Sequence, residues 1–289
     1  MNKTLCSACN NQVINLGRIP DGILLRCNYC GTKKIFVENF EKIKDEAGYA
    51  NAYKEKINET KINYLIQIFE KYYSANNSNI ELLDIGFGTG EFLIAMKMKG
   101  ISVFGLECDK KSSEIILDKG IDAFNGELGG RLTIDKKFDV ITLWDLIEHV
   151  NDVQAAMQQL RDLTKEKGKI LLVTPNSESL FDLTAAIERK ITFRKSERIM
   201  NICLNRYHLH RFSRKGIKIL FERFGFKIEE MKLIQLFSLK KDEYTDGFAP
   251  GILKWTNSPS FNRIFSKMMM SIIKGLRIRN KIFVVAVKN

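Results

Sequence analysis

From residue 80 onward, short apolar runs alternate with longer segments whose apolar residues recur three and four positions apart. The runs fall at 80–85, 102–106, 123–124, 138–143, 169–173, 226–233 and 282–287, and most are apolar at consecutive positions. Strands of that kind are buried on both faces, as in a largely parallel sheet covered by helices. The segments 91–98, 112–118, 153–163 and 214–224 between them read as amphipathic helices. Ser213 offers an N-cap oxygen to the last of these, and Gly225 the left-handed residue that ends it. The pattern predicts an α/β domain over 79–289 with seven strands.

The flanks differ. Residues 1–38 hold few large apolar side chains and only short β-like runs, at 12–16, 23–26 and 34–37. Residues 39–78 read as a linker with N-terminal helices: a charged stretch around Gly48, Tyr49 and Tyr53 forms a hinge or helix start. An amphipathic helix follows through Ile62, Leu65, Ile66, Phe69 and Tyr73. Between the last two strands, 236–280 reads as a helical insertion or lid. Within it, 261–277 carries an apolar stripe through Phe261, Ile264, Phe265, Met268, Met269, Ile272, Ile273 and Leu276, with Arg263, Lys267, Lys274 and Arg277 opposite. Such a helix packs on the sheet or a partner subunit, or lies as a peripheral contact on a membrane surface.

Charge changes the picture. The chain of 289 residues has a formal net charge of +12, but residues 1–188 hold 23 Lys+Arg against 27 Asp+Glu and residues 189–289 hold 23 against 7. A basic final third on an acidic body attracts anions: a nucleotide-linked sugar, a phospholipid surface or RNA. No basic start followed by an apolar run opens the chain, and no stretch of about 18 apolar residues occurs, so a cytoplasmic location is expected.

Four of the six cysteines form a pattern. Cys6 and Cys9, then Cys27 and Cys30, make two CxxC pairs separated by 17 residues, a spacing that lets two tight turns offer four thiolates to one tetrahedral Zn²⁺. Four sulfur ligands leave no open coordination position, so the expected zinc is structural and 1–38 a zinc ribbon. Cys108 and Cys203 have no partner by spacing.

The first core strand, with Asp84 in it, runs into Gly86-Phe87-Gly88-Thr89-Gly90, and a helix begins at Glu91. A glycine-rich turn between strand and helix brings backbone N–H groups close to a ligand at the carboxyl edge of the sheet. Dinucleotide folds use G-x-G-x-x-G, which would need glycine where Glu91 stands, so a pyrophosphate is disfavoured. Glu107 ends the second strand, where an acid accepts hydrogen bonds from ribose hydroxyls. The fourth strand leads into Trp144-Asp145-Leu146-Ile147-Glu148-His149-Val150.

Taken together, LLDIGFGTGEFL, Glu107, FDVITLWDLIEHV, GKILLVTPN and the final FVVAVKN resemble the class I S-adenosylmethionine-dependent methyltransferases, in the branch of the ubiquinone-biosynthesis O-methyltransferases. The resemblance covers roughly 60–235 plus the last strand and implies a Rossmann-like sheet. It implies that Gly86, Gly88 and Gly90 cradle the methionine part of the donor, with Asp84 supporting the loop. Glu107 would hold the ribose, Asn125 to Leu128 would flank the adenine, and Trp144 belongs with the donor site. Phe87 stands where many relatives carry Cys. Asp145, Glu148 and His149 fall beside the expected methyl group, and relatives use a similar run near a divalent metal and their acceptor.

Methyl transfer needs alignment and exclusion of water, with a base only for a hydroxyl or acidic carbon. His149 is one candidate base; otherwise it caps and packs the next helix. Tyr207-His208-Leu209-His210-Arg211-Phe212-Ser213 supplies two more, His208 and His210, and is expected over the mouth of the donor pocket. It is similar to, though shorter than, a motif of sugar C-methyltransferases, which also carry an N-terminal zinc-binding segment. Three functions stay open: methylation of a small-molecule, sugar or lipid-linked acceptor; methylation of ribosomal RNA, which has zinc-finger enzymes of this fold; and a non-catalytic donor-binding scaffold.

Overall fold

The computed structural model describes residues 5–19, 22–37, 59–73, 80–179, 208–234 and 280–289. The hinge at 39–58, Tyr207, Cys203 and the insertion at 236–280, save Asn280, lie outside these residues, and so does the stripe at 261–277.

The N-terminal unit is a meander of β1 (Val13–Ile19), β2 (Gly22–Cys27) and β3 (Lys33–Phe36), antiparallel throughout. Its hydrophobic cluster is two buried residues, Leu24 and Ile35, so little apolar burial holds it together. The helix α1 (Glu59–Tyr72) then buries Ile62, Leu65, Ile68 and Phe69.

The body follows in the order β4 (Glu81–Ile85), α2 (Glu91–Met98), β5 (Ser102–Glu107), α3 (Lys110–Asp118), β6 (Asp122–Asn125), β7 (Phe138–Trp144), a 3-10 turn (Ile147–His149), α4 (Val153–Leu163), β8 (Thr164–Pro175), β9 (His210–Arg211), α5 (Arg214–Arg223), β10 (Phe226–Ile234) and β11 (Lys281–Lys288). Seven strands form one sheet in the order β10-β11-β8-β7-β4-β5-β6, in which only β11 runs antiparallel to its neighbours. This is the predicted Rossmann-like sheet.

The strands are apolar at consecutive positions because each face has its own core. Leu83, Ile85, Ile141, Leu143, Ile170 and Leu172 pack towards α4 and α5. Leu82, Val140, Leu171 and Val173 point the other way, against α1 and α2. Ser213 caps α5, its hydroxyl accepting from the N–H of Gly216, and Gly225 has the expected positive φ of 75°. β8 begins five residues before the expected 169, because its start, Thr164-Lys-Glu-Lys-Gly168, is too polar to read as strand.

One expectation is corrected. His210 and Arg211 do not belong to a loop over the donor pocket; they form β9, which pairs antiparallel with β3 and completes a four-stranded sheet β1-β2-β3-β9. Two polar residues pairing with a strand far upstream leave no periodic signal. The N-terminal unit is thereby built onto the body.

Candidate functional site

At the carboxyl ends of β4, β5 and β7 the chain leaves a cleft with an empty volume of about 420 Å³. Its lining includes Gly86, Glu107, Glu127, Leu128, Leu146 and His149. It sits where the strand order reverses, between β4 and its neighbours β5 and β7, which is where open α/β sheets bind ligands. The glycine turn shapes one wall. Gly86, Gly88 and Gly90 all have positive φ, 72°, 57° and 79°, and a Cβ on Gly88 would meet nothing within 4 Å. The backbone at Gly88 thus faces open space, as a loop that receives a ligand must.

Glu107 is 4% exposed and organises that loop. Its Oε2 accepts from the N–H of Gly88 at 2.9 Å, and Oε1 accepts from the N–H groups of Cys108 (2.7 Å) and Asp109 (3.1 Å). Asn125 donates from Nδ2 to the carbonyls of Glu107 (3.1 Å) and Cys108 (3.2 Å), fixing β5 to β6 at the rim. Asp84 lies beneath, buried, with Oδ1 accepting from the Thr142 hydroxyl at 2.6 Å. Burial, helped by the charge of Glu107, raises its carboxyl to about 7. Trp144 stands apart: it does not line the cleft, packs edge-on against Phe92 with ring centroids 5.5 Å apart, and its buried Nε1 has no partner.

Past β7 the chain turns sharply at Asp145, whose φ of 57° is left-handed although it is not glycine. Its carboxylate is clamped between Lys61 of α1 (3.1 Å) and Lys281 at the start of β11 (2.6 Å). Burial opposes ionisation there, but the two ammoniums outweigh it and hold the group well below the usual carboxylate range. Neither lysine was anticipated from the sequence, because each lies far along the chain from Asp145 and has no motif. Glu148 is wholly buried: Oε2 accepts from the Thr174 hydroxyl at 2.9 Å, and Oε1 has no partner. Burial and the nearby Asp145 charge push it up to about 7.

His149 lines the cleft and meets His208 edge to face, with ring centroids 4.7 Å apart. Burial first, and the His149 ring next, hold His208 neutral, and its Nδ1 has no partner. Glu148, His149 and His208 each present one ligand atom, all within 4.8 Å of one another, so this corner could bind a proton or a cation. His210 is corrected from candidate base to structural group. It is wholly buried, with Nδ1 3.0 Å from the Ser7 hydroxyl and Nε2 3.0 Å from the Val150 carbonyl, and burial lowers it to about 3.

The four patterned cysteines converge as expected. Cys6 and Cys30 Sγ atoms lie 3.5 Å apart, as do those of Cys9 and Cys27, and all four lie within 4.8 Å of one another, buried. These four thiols are able to hold a metal ion.

With a glycine turn, a terminal β5 acid and this strand order, the class is that of a Rossmann-like methyltransferase. Residues 53–231, well over half the chain, match the family described as "Methyltransferase domain", and the protein belongs to that family, the class I S-adenosylmethionine-dependent methyltransferases. It is 30% identical over 160 residues to the ubiquinone biosynthesis O-methyltransferase of Pelagibacter ubique, covering 48% of this chain and 64% of that protein. It is 28% identical over 126 residues to the one from Rickettsia bellii, covering 42% and 52%. The chain thus spans about half to two-thirds of the length of these curated relatives. Among solved structures it resembles a SAM-dependent methyltransferase from Methanosarcina mazei (TM-score 0.50, 14% identity, 76% of this chain and 96% of that one). It also resembles the cyclase SpnF (TM-score 0.51, 12% identity, 78% and 80%). At such identities the likeness concerns the fold alone. Among the described residues no helix is long and apolar enough to cross a membrane.

Proposed function

We propose that this protein transfers a methyl group from S-adenosylmethionine to a small-molecule or a sugar- or lipid-linked acceptor that is anionic. The observation that carries the reading is the Gly88–Glu107 contact at the head of an open cleft: a loop with free space over its backbone, held by a buried acid at the end of β5. Glu107 would hold the ribose, the Gly86–Gly90 turn the methionine part, and Asn125 to Leu128 the adenine edge. Asp84 would brace the loop from below, while Trp144, which does not line the cleft, would act on the donor site only through its packing on α2.

When bound, the donor supplies a sulfonium-activated methyl carbon, so the protein's own task is alignment and removal of one proton. His149, at the cleft wall, would take a proton from an acceptor hydroxyl, a role supported by its position in the lining and by His208 and Glu148 beside it. Asp145 orders Lys61 and Lys281 instead of touching the acceptor. The two ammoniums of Lys61 and Lys281 against the one carboxylate of Asp145, with Glu148 pushed towards its neutral form by burial, favour an acceptor that carries a negative group beside the hydroxyl that is methylated. The names of the curated relatives agree with a small-molecule substrate.

We further propose that Cys6, Cys9, Cys27 and Cys30 hold one structural Zn²⁺, since a tetrahedral site with Zn–S bonds of about 2.3 Å puts its sulfurs about 3.8 Å apart, close to the spacing seen. In this reading 1–38 is a zinc ribbon, 39–78 a linker with α1, and 79–289 the methyltransferase domain with 236–280 as a helical insertion or lid, working in the cytoplasm. The test is Gly88→Leu. Its Cβ meets no protein atom, so apart from the backbone cost of roughly 1–2 kcal/mol the fold survives, while calorimetry with S-adenosylhomocysteine should show binding lost. Retained binding refutes the donor site. Incubation of cell extract with labelled donor then assigns the acceptor: label entering RNA, and not the small-molecule or lipid fraction, overturns the substrate reading.

A further inference from the structure

Besides the pairing of β3 with β9, the cysteine unit touches the body through its metal-binding knuckles, and one of these ties ends at the cleft. In the first knuckle, Ser7 meets Nδ1 of His210, and Nε2 of the same ring meets the carbonyl of Val150. Since a carbonyl only accepts, Nε2 carries the hydrogen and Nδ1 accepts from the Ser7 hydroxyl. The Ser7 carbonyl accepts from Gln154 at the start of α4, and the Ala8 carbonyl from Arg223 at 2.9 Å, with Arg223 also donating to Gln154 at 3.1 Å. In the second knuckle, the Tyr29 carbonyl accepts from Lys215 at 2.8 Å and that of Cys30 from the Ser213 hydroxyl. A Cβ on Gly216 would come within 2.0 Å of the Thr32 hydroxyl, so α5 lies directly against this turn.

Val150 is not a bystander. It lines the donor cleft next to His149 and lies against Gly129, where an added Cβ would meet its Cγ1 at 3.3 Å, just beyond Leu128 on the adenine side. His149 in turn is tied to Leu146, another lining residue, by its N–H at 2.9 Å. The His210 ring therefore spans from the cysteine turn to one wall of the cleft, and its neutral, buried state keeps both bonds in one direction.

We propose that His210 is a positioning residue through which the metal-clamped knuckle sets the Leu146–Val150 wall of the donor cleft, so that occupancy of the Cys₄ site and donor affinity are coupled. The inference rests on the donor-binding and zinc readings above. An unclamped knuckle leaves Ser7 unfixed, the ring loses its acceptor-side partner, and the Val150 carbonyl loses its donor.

The test uses the full chain purified with its metal, S-adenosylhomocysteine calorimetry, and zinc content by dye release after thiol modification. His210→Phe keeps the stack on Phe212 (centroids 5.6 Å) but neither hydrogen bond. It should weaken binding about tenfold, the consequence of one buried carbonyl left unpaired, at unchanged zinc content. His210→Gln, which can still donate to Val150, should recover most of the loss, and Ser7→Ala should show a smaller weakening of about threefold. Stripping zinc should weaken the wild type by a factor similar to His210→Phe and add little in the variant. Wild-type affinity in both His210→Phe and Ser7→Ala, or equal further weakening of wild type and variant on stripping, overturns the coupling. If His210→Phe fails to fold, hydrogen exchange at 147–150 in the wild type decides: faster exchange after stripping supports the proposal, unchanged exchange sinks it. A wild type that gives no heat at all would instead count against the donor reading, and one that carries no zinc against the tetrathiolate.

Discussion

Replacing Glu107 by Gln tests the donor site at the atom that organises it. The carboxylate accepts three backbone N–H groups, one from Gly88 on Oε2 and those of Cys108 and Asp109 on Oε1. A glutamine amide has one accepting oxygen and one donating nitrogen, so its NH₂ must face at least one N–H donor. The cheaper orientation turns it toward Gly88 and keeps the two bonds on the other side. That loses one charge-assisted hydrogen bond and sets two donors against each other, about 2 kcal/mol, and it frees the glycine turn. The ribose hydroxyls lose a charged acceptor at the same time. The summed effect on S-adenosylhomocysteine is about 2–4 kcal/mol, or roughly 30- to 1000-fold in Kd. Calorimetry measures the sum, and the melting point of the ligand-free protein isolates the loop part, expected to fall by roughly 5 °C. Glu107→Asp, shorter by one methylene but still charged, should lie between. An unchanged Kd for Glu107→Gln refutes the ribose role, however the melting point moves.

Three further outcomes follow from the same geometry. Asp84 is raised to about 7 from 3.8, so the folded state binds more protons than the unfolded chain between these values; its contribution is complete below pH 3.8 and is lost as pH rises through about 7. Asp84→Asn should remove that slope, worth up to about 4 kcal/mol by the size of the shift, and identical urea midpoints against pH for both proteins would disprove it. Lys281→Met takes the nearer of two cations from Asp145 and should cost about 1–3 kcal/mol in urea unfolding, below the range for fully buried pairs because these groups are partly exposed; a cost near zero would show that Lys61 suffices. Cys27→Ser should abolish zinc binding and lower the melting point sharply, since Leu24 and Ile35 give the unit little core of its own; full zinc occupancy in this variant would show that the four thiols do not act as one site.

What the sequence revealed and what it hid divide along a physical line. The sheet, the glycine turn and the cysteine cluster were legible because each depends on residues close together in the chain: consecutive apolar positions, G-x-G-x-G after a strand, two CxxC turns. The groups that finish the site were not, because they act across the fold. Lys61 and Lys281 meet at Asp145 from α1 and β11, elements at opposite ends of the body, and a lysine on a helix or strand reads as surface. The YHLHRFS run shows the limit most sharply. Its histidines are two apart, and on an extended chain that spacing puts them on one face, where both would look into the pocket. The structure instead gives His208 to the cleft corner and His210 to the cysteine unit. Only the pairing of β9 with β3 separates them, and a two-residue strand has too few positions to show a period. The body and the cysteine unit are therefore joined: the strand that begins two residues after the cleft-corner His208 is also the outer strand of the four-stranded sheet, so loosening that sheet is expected to move residues beside the cleft.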